Sequence, residues 1–380
     1  MGIQARKDDH IRIASSQNVE EGSTLFDEIY LIHNALPEID FDDVDTSIKI
    51  FGKRLSYPFI IGALTGGTEL AEKVNAALAR AAEEFGIGMY VGSQRVAIEH
   101  PEASRSFRVV KEYAPTTLKI ANLGAPQIAK LSEVELADWV NRAIDMIDAD
   151  ALAIHLNPAQ EVFQPEGEPW FSGVLSKLKY IRRIANRPLI VKEVGNGISA
   201  EVASMLSKVP VDAIDVAGAG GTSFIRIESL RGGNVDVADV FKGWGIPTAV
   251  SICEVRSVFE GLVFASGGIR NGLDGAKAIA VGADAFSMSR PMLLSALNGY
   301  DAVRQALEKI FREFKIAMFL TGSHNVEGLK KAPLVVGPTI LLWLIQRGVR
   351  CRLTSEIYNV LRPLALSTIE HALIRRGVSI

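Results

Sequence analysis

Two segments in the second half of the chain combine glycine, serine and arginine in a way that suits phosphate binding. They are Gly267-Gly268-Ile269-Arg270 and Ser289-Arg290. Glycines expose backbone N–H groups to an anion, and a helix that begins after such a turn adds a favourable dipole. The two arginines supply positive charge. We therefore expect a phosphate group here, with tight turns that need glycine only for their geometry as the alternative.

A lysine inside an apolar run gives a second chemical signal. Lys192 follows Leu189-Ile190-Val191, which has the composition of a strand covered on both faces. Reduced flavin carries negative charge around N1, and a nearby ammonium group stabilises that charge. Lys192 is thus a candidate flavin partner, and a structural salt bridge is the alternative.

Three polar side chains follow an earlier apolar run. Strand alternation places His155 and Asn157 on the same face, and Glu161 comes shortly after them. An Mg²⁺ ion bound to a diphosphate takes one or two protein carboxylates and keeps several waters, so Glu161 is a candidate metal ligand. A solvated glutamate and a structural histidine are the alternatives.

The N-terminal segment carries a basic cluster before any core element. Arg6-Lys7 and His10, together with Arg95 further along, could supply the local positive charge that an anionic substrate requires. Terminal charges that are simply solvated are the alternative.

These residues need a scaffold that brings distant segments together. Short apolar runs alternate with helical patterns, and the polar residues follow the runs directly. Eight strands alternating with helices predict an α/β fold, a closed parallel (β/α)8 (TIM) barrel, whose active site lies at the carboxyl ends of the strands. The predicted strands are 58–65, 86–93, 117–124, 151–157, 188–194, 213–218, 262–268 and 284–289.

An open doubly wound sheet is the structural alternative to the barrel. It would carry a Gly-x-Gly-x-x-Gly turn after the first strand, but that turn reads Leu64-Thr65-Gly66-Gly67-Thr68. The helical patterns are clear: Ser132-Glu133-Val134-Glu135 predicts a capping box, and another helix begins at Glu69. The barrel is favoured.

The organisation predicted is one domain with additions at both ends. Residues 1–57 are a lead-in that contributes to the substrate site, 58–345 form the barrel with C-terminal helices, and 346–380 are a tail of unknown role. The long connection 220–261 is expected to cover the active site.

Composition limits the possible partners. Among 380 residues, 41 basic and 44 acidic side chains give a net charge of -3, which offers no electrostatic footprint for nucleic acid or an anionic membrane. Cys253 and Cys351 lack metal-type spacing and form no disulfide framework. The first ten residues are too polar for a signal peptide, and 332–345 is too short to span a bilayer. A soluble, cytoplasmic protein is expected.

Seven motifs together resemble one known family, the type 2 isopentenyl-diphosphate isomerases. The resemblance runs in order from about residue 5 to about residue 345. The motifs are Arg6-Lys7-x-x-His10, Thr65-Gly66-Gly67, Gly92-Ser93-Gln94-Arg95, Asn122-Leu123-Gly124, His155-Leu156-Asn157-Pro158-x-Gln160-Glu161, Val191-Lys192-Glu193-Val194-Gly195 and Asp215-Val216-Ala217-Gly218-x-Gly220-Gly221-Thr222.

The resemblance implies a barrel that binds FMN and interconverts isopentenyl and dimethylallyl diphosphate with Mg²⁺, without net electron transfer. It implies flavin reduced by NAD(P)H and a homotetramer or homooctamer. The implied metal ligand is Glu161. The implied flavin contacts are Ala63, Leu64, Thr65, Ser93, Asn122, Lys192, Thr222, Gly268, Ile269, Arg270, Ser289 and Arg290. The implied substrate contacts are Arg6, Lys7, Ser93, Gln94, Arg95, His155, Asn157 and Gln160.

The reaction would protonate a terminal double bond and remove a proton from C2. Few side chains could do this: His155 is available, and Gln160 is a poor acid. We expect reduced flavin to act as the acid–base, with Gln160 assisting, His155 nearby, and Lys192 supporting the anionic flavin. The site should favour the cation while excluding water.

Three other functions are less well supported by the residues. A flavin-dependent 2-hydroxy acid oxidase would need a histidine base after a late strand, but none occurs between His155 and His324. An inosine-monophosphate-dehydrogenase-like enzyme would need a cysteine after the sixth strand, and 218–231 contains none. A non-catalytic flavin-binding protein remains formally possible.

Overall fold

The structure is a computed structural model that describes residues 3–354, with side chains described from Arg6 onward. Part of the predicted tail, residues 355–380, lies outside the described residues. Within the described range no helix is both long enough and apolar enough to cross a membrane.

Eight parallel strands close into a barrel, as predicted. The barrel runs in chain order from β4 to β11, and β11 pairs with β4 to complete the circle. Each predicted apolar run contains one of these strands. The strands of the described residues are β1 Ile29–Leu31, β2 Ile48–Ile50, β3 Lys53–Leu55, β4 Phe59–Ile61, β5 Gly88–Tyr90, β6 Lys119–Gly124, β7 Ala151–His155, β8 Leu189–Lys192, β9 Ala213–Asp215, β10 Leu262–Ala265, β11 Ala285–Met288 and β12 Leu334–Val336.

Helices surround the barrel and follow most of its strands. The α-helices are α1 Ile3–Ser16, α2 Glu69–Phe85, α3 Arg95–Glu99, α4 Arg105–Tyr113, α5 Ala125–Lys130, α6 Glu133–Ile147, α7 Pro158–Phe163, α8 Val174–Ile184, α9 Ala200–Leu206, α10 Phe224–Leu230, α11 Val235–Val240, α12 Thr248–Arg256, α13 Gly272–Ala280, α14 Arg290–Ala296, α15 Tyr300–Leu320, α16 Val326–Leu329 and α17 Pro338–Gln346. Short 3-10 helices lie at Phe26–Glu28, Phe41–Asp43 and Pro101–Ser104.

Local sequence explains the helix ends. The predicted capping box is present at the start of α6, where Ser132 accepts from the Glu135 backbone N–H and the Glu135 side chain accepts from Ser132. Helix α2 is capped at its start by Thr68, whose hydroxyl accepts from the Ala71 backbone N–H, and at its end by Gly86 in the left-handed conformation. These caps satisfy backbone groups that a helix leaves unpaired at its ends.

The interior of the barrel is a packed core. Ile60, Tyr90, Ile190 and Phe264 are buried there. The antiparallel β2–β3 hairpin closes the amino-terminal end, where Phe51 packs edge-on against Phe264 at 6.2 Å between ring centroids. Since that end is closed, the open end lies at the carboxyl ends of the strands, where the predicted polar residues are.

The lead-in is more structured than its polar composition suggests. Helix α1 packs against α10 and α14 at the carboxyl end of the barrel, and β1 pairs with β12. The long connection 220–261 holds α10 and α11 and then α12, a helix buried along almost its whole length.

Candidate functional site

A deep cavity lies at the carboxyl ends of the strands, and α1 forms part of its wall. It gathers most of the predicted site residues from all eight strand ends. Those that line it are Arg6, Lys7, Ala63, Leu64, Thr65, Ser93, Arg95, Asn122, His155, Asn157, Gln160, Glu161, Lys192, Thr222, Ile269, Arg270, Ser289 and Arg290.

One end of the cavity is formed by the loops after β10 and β11. Gly267 and Gly268 adopt positive φ angles of 95° and 70°. A Cβ atom on Gly267 would lie 2.1 Å from the carbonyl oxygen of Gly218, so only glycine fits there. Gly268 packs against the backbone of Gly220 beside the cavity rather than lining it. The loop therefore offers backbone to a ligand at close range.

The two arginines of this end share one acidic partner. Arg270 Nη2 and Arg290 Nη1 each donate to Glu20 Oε1 at 2.7 Å. Burial raises the pKa of Glu20, but the two guanidinium groups more than offset this and hold its pKa below the usual range. Glu20 lies in the lead-in, and nothing in its sequence context pointed to this contact.

Lys192 is buried at the end of β8, where its ammonium group donates to the Glu193 carbonyl oxygen at 2.5 Å. Its strand neighbours are His155 on β7 and Asp215 on β9. Burial holds the pKa of Asp215 above its usual value, although the charge of Lys192 acts in the opposite direction. Asp215 also accepts from the Ser266 hydroxyl at 2.5 Å. The lysine charge is thus held inside the barrel mouth.

His155 carries a neutral ring. Its Nδ1 lies 2.9 Å from Asn122 Oδ1, and the Asn122 amide nitrogen donates to the Val91 carbonyl oxygen, which leaves Oδ1 as the acceptor. The arrangement assigns the proton to Nδ1 and a lone pair to Nε2. Burial, followed by the charges of Lys192 and Lys7, lowers the pKa of His155 to about 3. The ring is a hydrogen-bond acceptor at Nε2 rather than a cationic acid.

Asn157, Gln160 and Glu161 form one hydrogen-bonded group at the start of α7. The Asn157 amide nitrogen donates to Gln160 Oε1 at 3.2 Å and to Glu161 Oε1 at 2.8 Å. Glu161 Oε2 accepts from the Glu168 backbone N–H at 2.7 Å. The carboxylate is buried and fixed in direction, yet it keeps lone pairs for a further partner.

The opposite wall of the cavity carries the basic residues of α1. Burial, followed by the nearby charges of Arg6 and Arg95, lowers the pKa of Lys7 to about 8. Arg95 is paired with Glu99 at 2.8 Å and with Glu168 at 2.5 Å. His10 Nε2 lies 2.9 Å from Glu228. Arg6, Lys7 and Arg95 are three cations held close together, which suits a multiply charged anion.

Gln94 is not part of the cavity, contrary to its predicted role as a substrate contact. Its side chain is fully buried. It donates to the Ala143 carbonyl oxygen at 2.9 Å and accepts from the Asn122 backbone N–H at 2.9 Å. Gln94 therefore braces Asn122, and its side chain points away from the ligand space.

Glu228 is a site residue that the sequence reasoning missed. This buried carboxylate on α10 accepts from the Gln160 amide at 3.2 Å, contacts His10, and pairs with Arg231 at 2.5 Å. Only the local spacing of Glu228 and Arg231 was visible in the sequence, since the other two contacts join segments far apart in the chain.

Four buried polar atoms of residues that line the cavity have no hydrogen-bond partner within the described part of the chain. They are Arg6 Nε, Thr65 Oγ1, Asn157 Oδ1 and Ser287 Oγ. Unpaired buried polar atoms are costly, so they indicate ligand partners. With the glycine loop and Lys192, the residues fit an FMN group. No group of three or more histidine, cysteine, aspartate or glutamate side chains in 6–354 could hold a metal alone, so an Mg²⁺ ion here would need ligands from a bound diphosphate.

The fold and site define a class of flavin-binding barrel. Residues 12–122 and 171–336 match the family model described as FMN-dependent dehydrogenase. A mandelate oxidase structure aligns with a TM-score of 0.60 and 21% sequence identity, covering 88% of this chain and 96% of the oxidase. At this identity the likeness shows the fold alone.

Sequence relatives narrow the class. The isopentenyl-diphosphate delta-isomerase of Pyrobaculum arsenaticum is 60% identical over 355 residues, covering 92% of this chain and 100% of the relative. Those of Sulfurisphaera tokodaii and Methanocaldococcus jannaschii are each 45% identical, covering 92% and 91% of this chain and 96% and 98% of the relatives. The chain belongs to the FMN-dependent, type 2 isopentenyl-diphosphate delta-isomerase family.

Proposed function

We propose that this protein interconverts isopentenyl diphosphate and dimethylallyl diphosphate in isoprenoid biosynthesis, with reduced FMN as the acid–base cofactor, Mg²⁺, and no net redox change. The observation that carries the proposal is the two-ended cavity. Arg6, Lys7 and Arg95 line one wall, and Lys192 with the glycine loop lines another. A cavity with these two ends suits a diphosphate and a flavin side by side.

The diphosphate would bind at the α1 end. Arg6, Lys7 and Arg95 would contact its oxygens, and Ser93 would contribute a hydroxyl from the end of β5. The lowered pKa of Lys7 supports this role, because burial and the charges of Arg6 and Arg95 disfavour its ammonium form, and a bound anion would favour it. Glu161 would hold Mg²⁺ together with diphosphate oxygens and water.

The flavin would bind at the glycine-loop end. Ala63, Leu64, Thr65, Asn122 and Thr222 would surround its ring system. Gly267, Ile269 and Arg270 of the glycine loop, with Ser289, would meet its phosphate. When bound and reduced, FMN supplies a group that can give and take a proton beside the substrate. NAD(P)H is the proposed reductant.

The chain's own residues would hold the charges and direct the substrate. Lys192 keeps a positive charge at the flavin end. Gln160 is held by Asn157 and Glu228, so its amide can assist proton removal only in a fixed direction. His155 would line the substrate pocket and accept a hydrogen bond at Nε2, since its low pKa makes it a poor proton donor.

Hydrocarbon-lined walls would protect a carbocation from water. Ile11 and Ala14 of α1 and Phe224 and Ile227 of α10 line the cavity. Apolar walls exclude water that would trap the cation, while fixed charges at both ends keep the substrate oriented.

We propose a homotetramer or homooctamer in the cytoplasm for the assembled enzyme.

A 2-hydroxy acid oxidase is the competing function on this fold. Its histidine base would have to face the cavity from a late strand. In the described part of the chain, His10 and His155 line the cavity, whereas His324 is exposed at the protein surface. His155 is held neutral at the end of β7. The residues therefore favour isomerisation over hydroxy acid oxidation.

An anaerobic assay tests the proposal. Purified protein with FMN, Mg²⁺ and isopentenyl diphosphate should form the allylic isomer, followed by NMR, only when the flavin is reduced. Chelation of Mg²⁺ should abolish turnover. Flavin reduction by a 2-hydroxy acid, with no allylic product, would contradict the isomerase and support the oxidase.

Lys192→Ala tests the charge assigned to the flavin end. The variant should lose activity and bind FMN more weakly, because the cavity loses the cation that offsets the negative charge of reduced flavin. FMN affinity can be measured by the change in flavin fluorescence on binding. Lys208→Ala, at an exposed position, is the matched control. Unchanged turnover in Lys192→Ala would remove this lysine from the mechanism.

A further inference from the structure

The C-terminal end of α1 is held by Arg290, the first residue of the neighbouring helix α14. Arg290 Nε donates to the Ala14 carbonyl oxygen at 2.7 Å, and Nη2 donates to the Gln17 carbonyl oxygen at 3.4 Å. Its third nitrogen, Nη1, donates to Glu20. All three nitrogens therefore contact the lead-in, although Arg290 begins α14 beside the proposed phosphate loop.

The contacts are those of a helix cap. The last carbonyl groups of a helix have no partner within the helix, and a cation near them also interacts favourably with the helix dipole. Ser15 and Ser16 hydroxyls donate to the Arg12 carbonyl oxygen, one turn earlier. The Ala14 carbonyl oxygen is instead satisfied by Arg290, so this end of α1 depends on a residue from the barrel.

The same helix carries the proposed diphosphate contacts. Arg6, Lys7 and His10 lie nearer its beginning, and His10 is held by Glu228. Beyond the helix, the Glu21 backbone N–H donates to the Gly221 carbonyl oxygen and Ser223 donates to Val19. Helix α1 is thus held to α10 by His10, which contacts Glu228 and packs edge-on against Phe224, and to α14 by Arg290 at its end.

We propose that Arg290 is a positioning residue for the substrate-binding helix rather than a ligand of the flavin phosphate. It caps α1 and, through Glu20, connects this helix to Arg270 at the cofactor end. The inference rests on the proposed function, because the α1 cations are assigned there to the diphosphate. The sequence resemblance implies that Arg290 contacts the flavin. In the structure its guanidinium group instead donates to carbonyl oxygens of the lead-in and to Glu20.

Arg290→Met tests this role in the FMN-loaded protein, with Arg270→Met as the matched variant because both arginines bind the same Glu20 oxygen. Three quantities are measured: hydrogen exchange of the amides in residues 11–17, FMN affinity by fluorescence, and isopentenyl diphosphate affinity by calorimetry. Arg290→Met should accelerate exchange, weaken diphosphate binding roughly tenfold and leave FMN affinity within about twofold, since hydrogen bonds to charged groups are the stronger ones.

Arg270→Met should show the reverse order, with a larger loss for FMN than for the diphosphate. Arg290→Lys, which keeps the charge and one donor, should partly restore diphosphate affinity and serves if the methionine variant does not fold. A larger loss of FMN affinity than of diphosphate affinity in the Arg290 variants, or unchanged diphosphate affinity, would overturn the inference. If the unsubstituted protein binds no diphosphate, the proposed function itself fails.

Discussion

Lys7 is one of the α1 cations proposed to bind the diphosphate, and its charge changes near neutral pH. Burial and two neighbouring arginines lower its pKa to about 8. A lysine needed in its charged form loses its attraction for a diphosphate as the pH rises through this value. The free enzyme should therefore lose substrate affinity in mildly alkaline solution.

Lys7→Arg tests this pH dependence. Wild-type kcat/KM for isopentenyl diphosphate should fall as the pH rises through about 8, whereas the variant should hold its value to higher pH because arginine stays charged. Lys73→Arg, on the exposed face of α2, is the control and should follow the wild type. A decline at the same pH in Lys7→Arg would show that another group titrates.

His155 provides a second pH-dependent prediction, on stability. Its folded pKa of about 3 lies below the ordinary value of 6.5, so between these values the unfolded chain binds more protons than the folded one. The stabilisation is fully present above pH 6.5 and is lost as the pH falls towards 3. The free energy of unfolding should change by up to about 1.4 kcal/mol per pH unit from this one group.

Replacing the ring removes that contribution. His155→Asn should unfold in urea with a shallower pH dependence between pH 3 and 6.5 than the wild type. His33→Asn, at an exposed position, should leave the slope unchanged. Equal slopes for the wild type and His155→Asn would mean that the histidine is not held neutral by the fold.

Residue identity could be predicted at the strand ends but side-chain direction could not. His155, Asn157 and Lys192 were found because parallel strands bring their carboxyl ends to one place. Gln94 was misassigned, since its neighbours in sequence face the cavity while its own side chain braces Asn122. Glu228 and Glu20 were missed because their partners lie far away in the chain.

Among the elements, the loop after β10 shows how backbone geometry determines what can bind. Gly267 holds a positive φ of 95° and leaves 2.1 Å between a would-be Cβ and the Gly218 oxygen. The loop after β10 therefore packs directly against the backbone of Gly218, with no room for a side chain between them. A side chain here would force the loop away from the position proposed for the flavin phosphate.

Gly267→Ala should lower both stability and FMN affinity. Gly173→Ala is the matched control, because Gly173 also has a positive φ, of 83°, but no atom lies within 4 Å of its added Cβ. The control should cost about 1 kcal/mol of unfolding free energy and leave FMN binding unchanged. Urea unfolding and flavin fluorescence measure the two effects. Equal FMN affinities in both variants would contradict the role given to this loop.

The elements of the barrel could be predicted more fully than those around it. Each of the eight strands lies within its predicted run because continuous apolar segments between amphipathic helices have few other solutions. Helix α1 was not predicted, since its sequence is charged and its order comes from contacts with Arg290 and Glu228. The long connection was expected to cover the site, and its α10 does supply cavity wall.

At the scale of the whole molecule, the amino-terminal end of the barrel is closed and the carboxyl-terminal end holds the cavity. The β2–β3 hairpin seals the amino-terminal end, and the packed interior leaves the ligand space at the other end. Residues of α1 and α10 form part of the wall of this space. In the proposed function, this wall would keep water away from the cation.

The fold by itself does not decide between oxidation and isomerisation. Mandelate oxidase shares the barrel at 21% identity, whereas the relatives at 45–60% identity are isomerases. This chain places Arg6 and Lys7 of α1 in the wall of the cavity. Function is decided by such site residues and not by the fold alone.

The most direct test of the isomerase account is turnover in D₂O with flavin that has been reduced once and then supplied with no further reductant. The account predicts many product molecules per flavin, deuterium in the new methyl group of dimethylallyl diphosphate, and flavin that is still reduced at the end. One turnover per reduced flavin, or flavin oxidised in step with product, would contradict acid–base use of the cofactor.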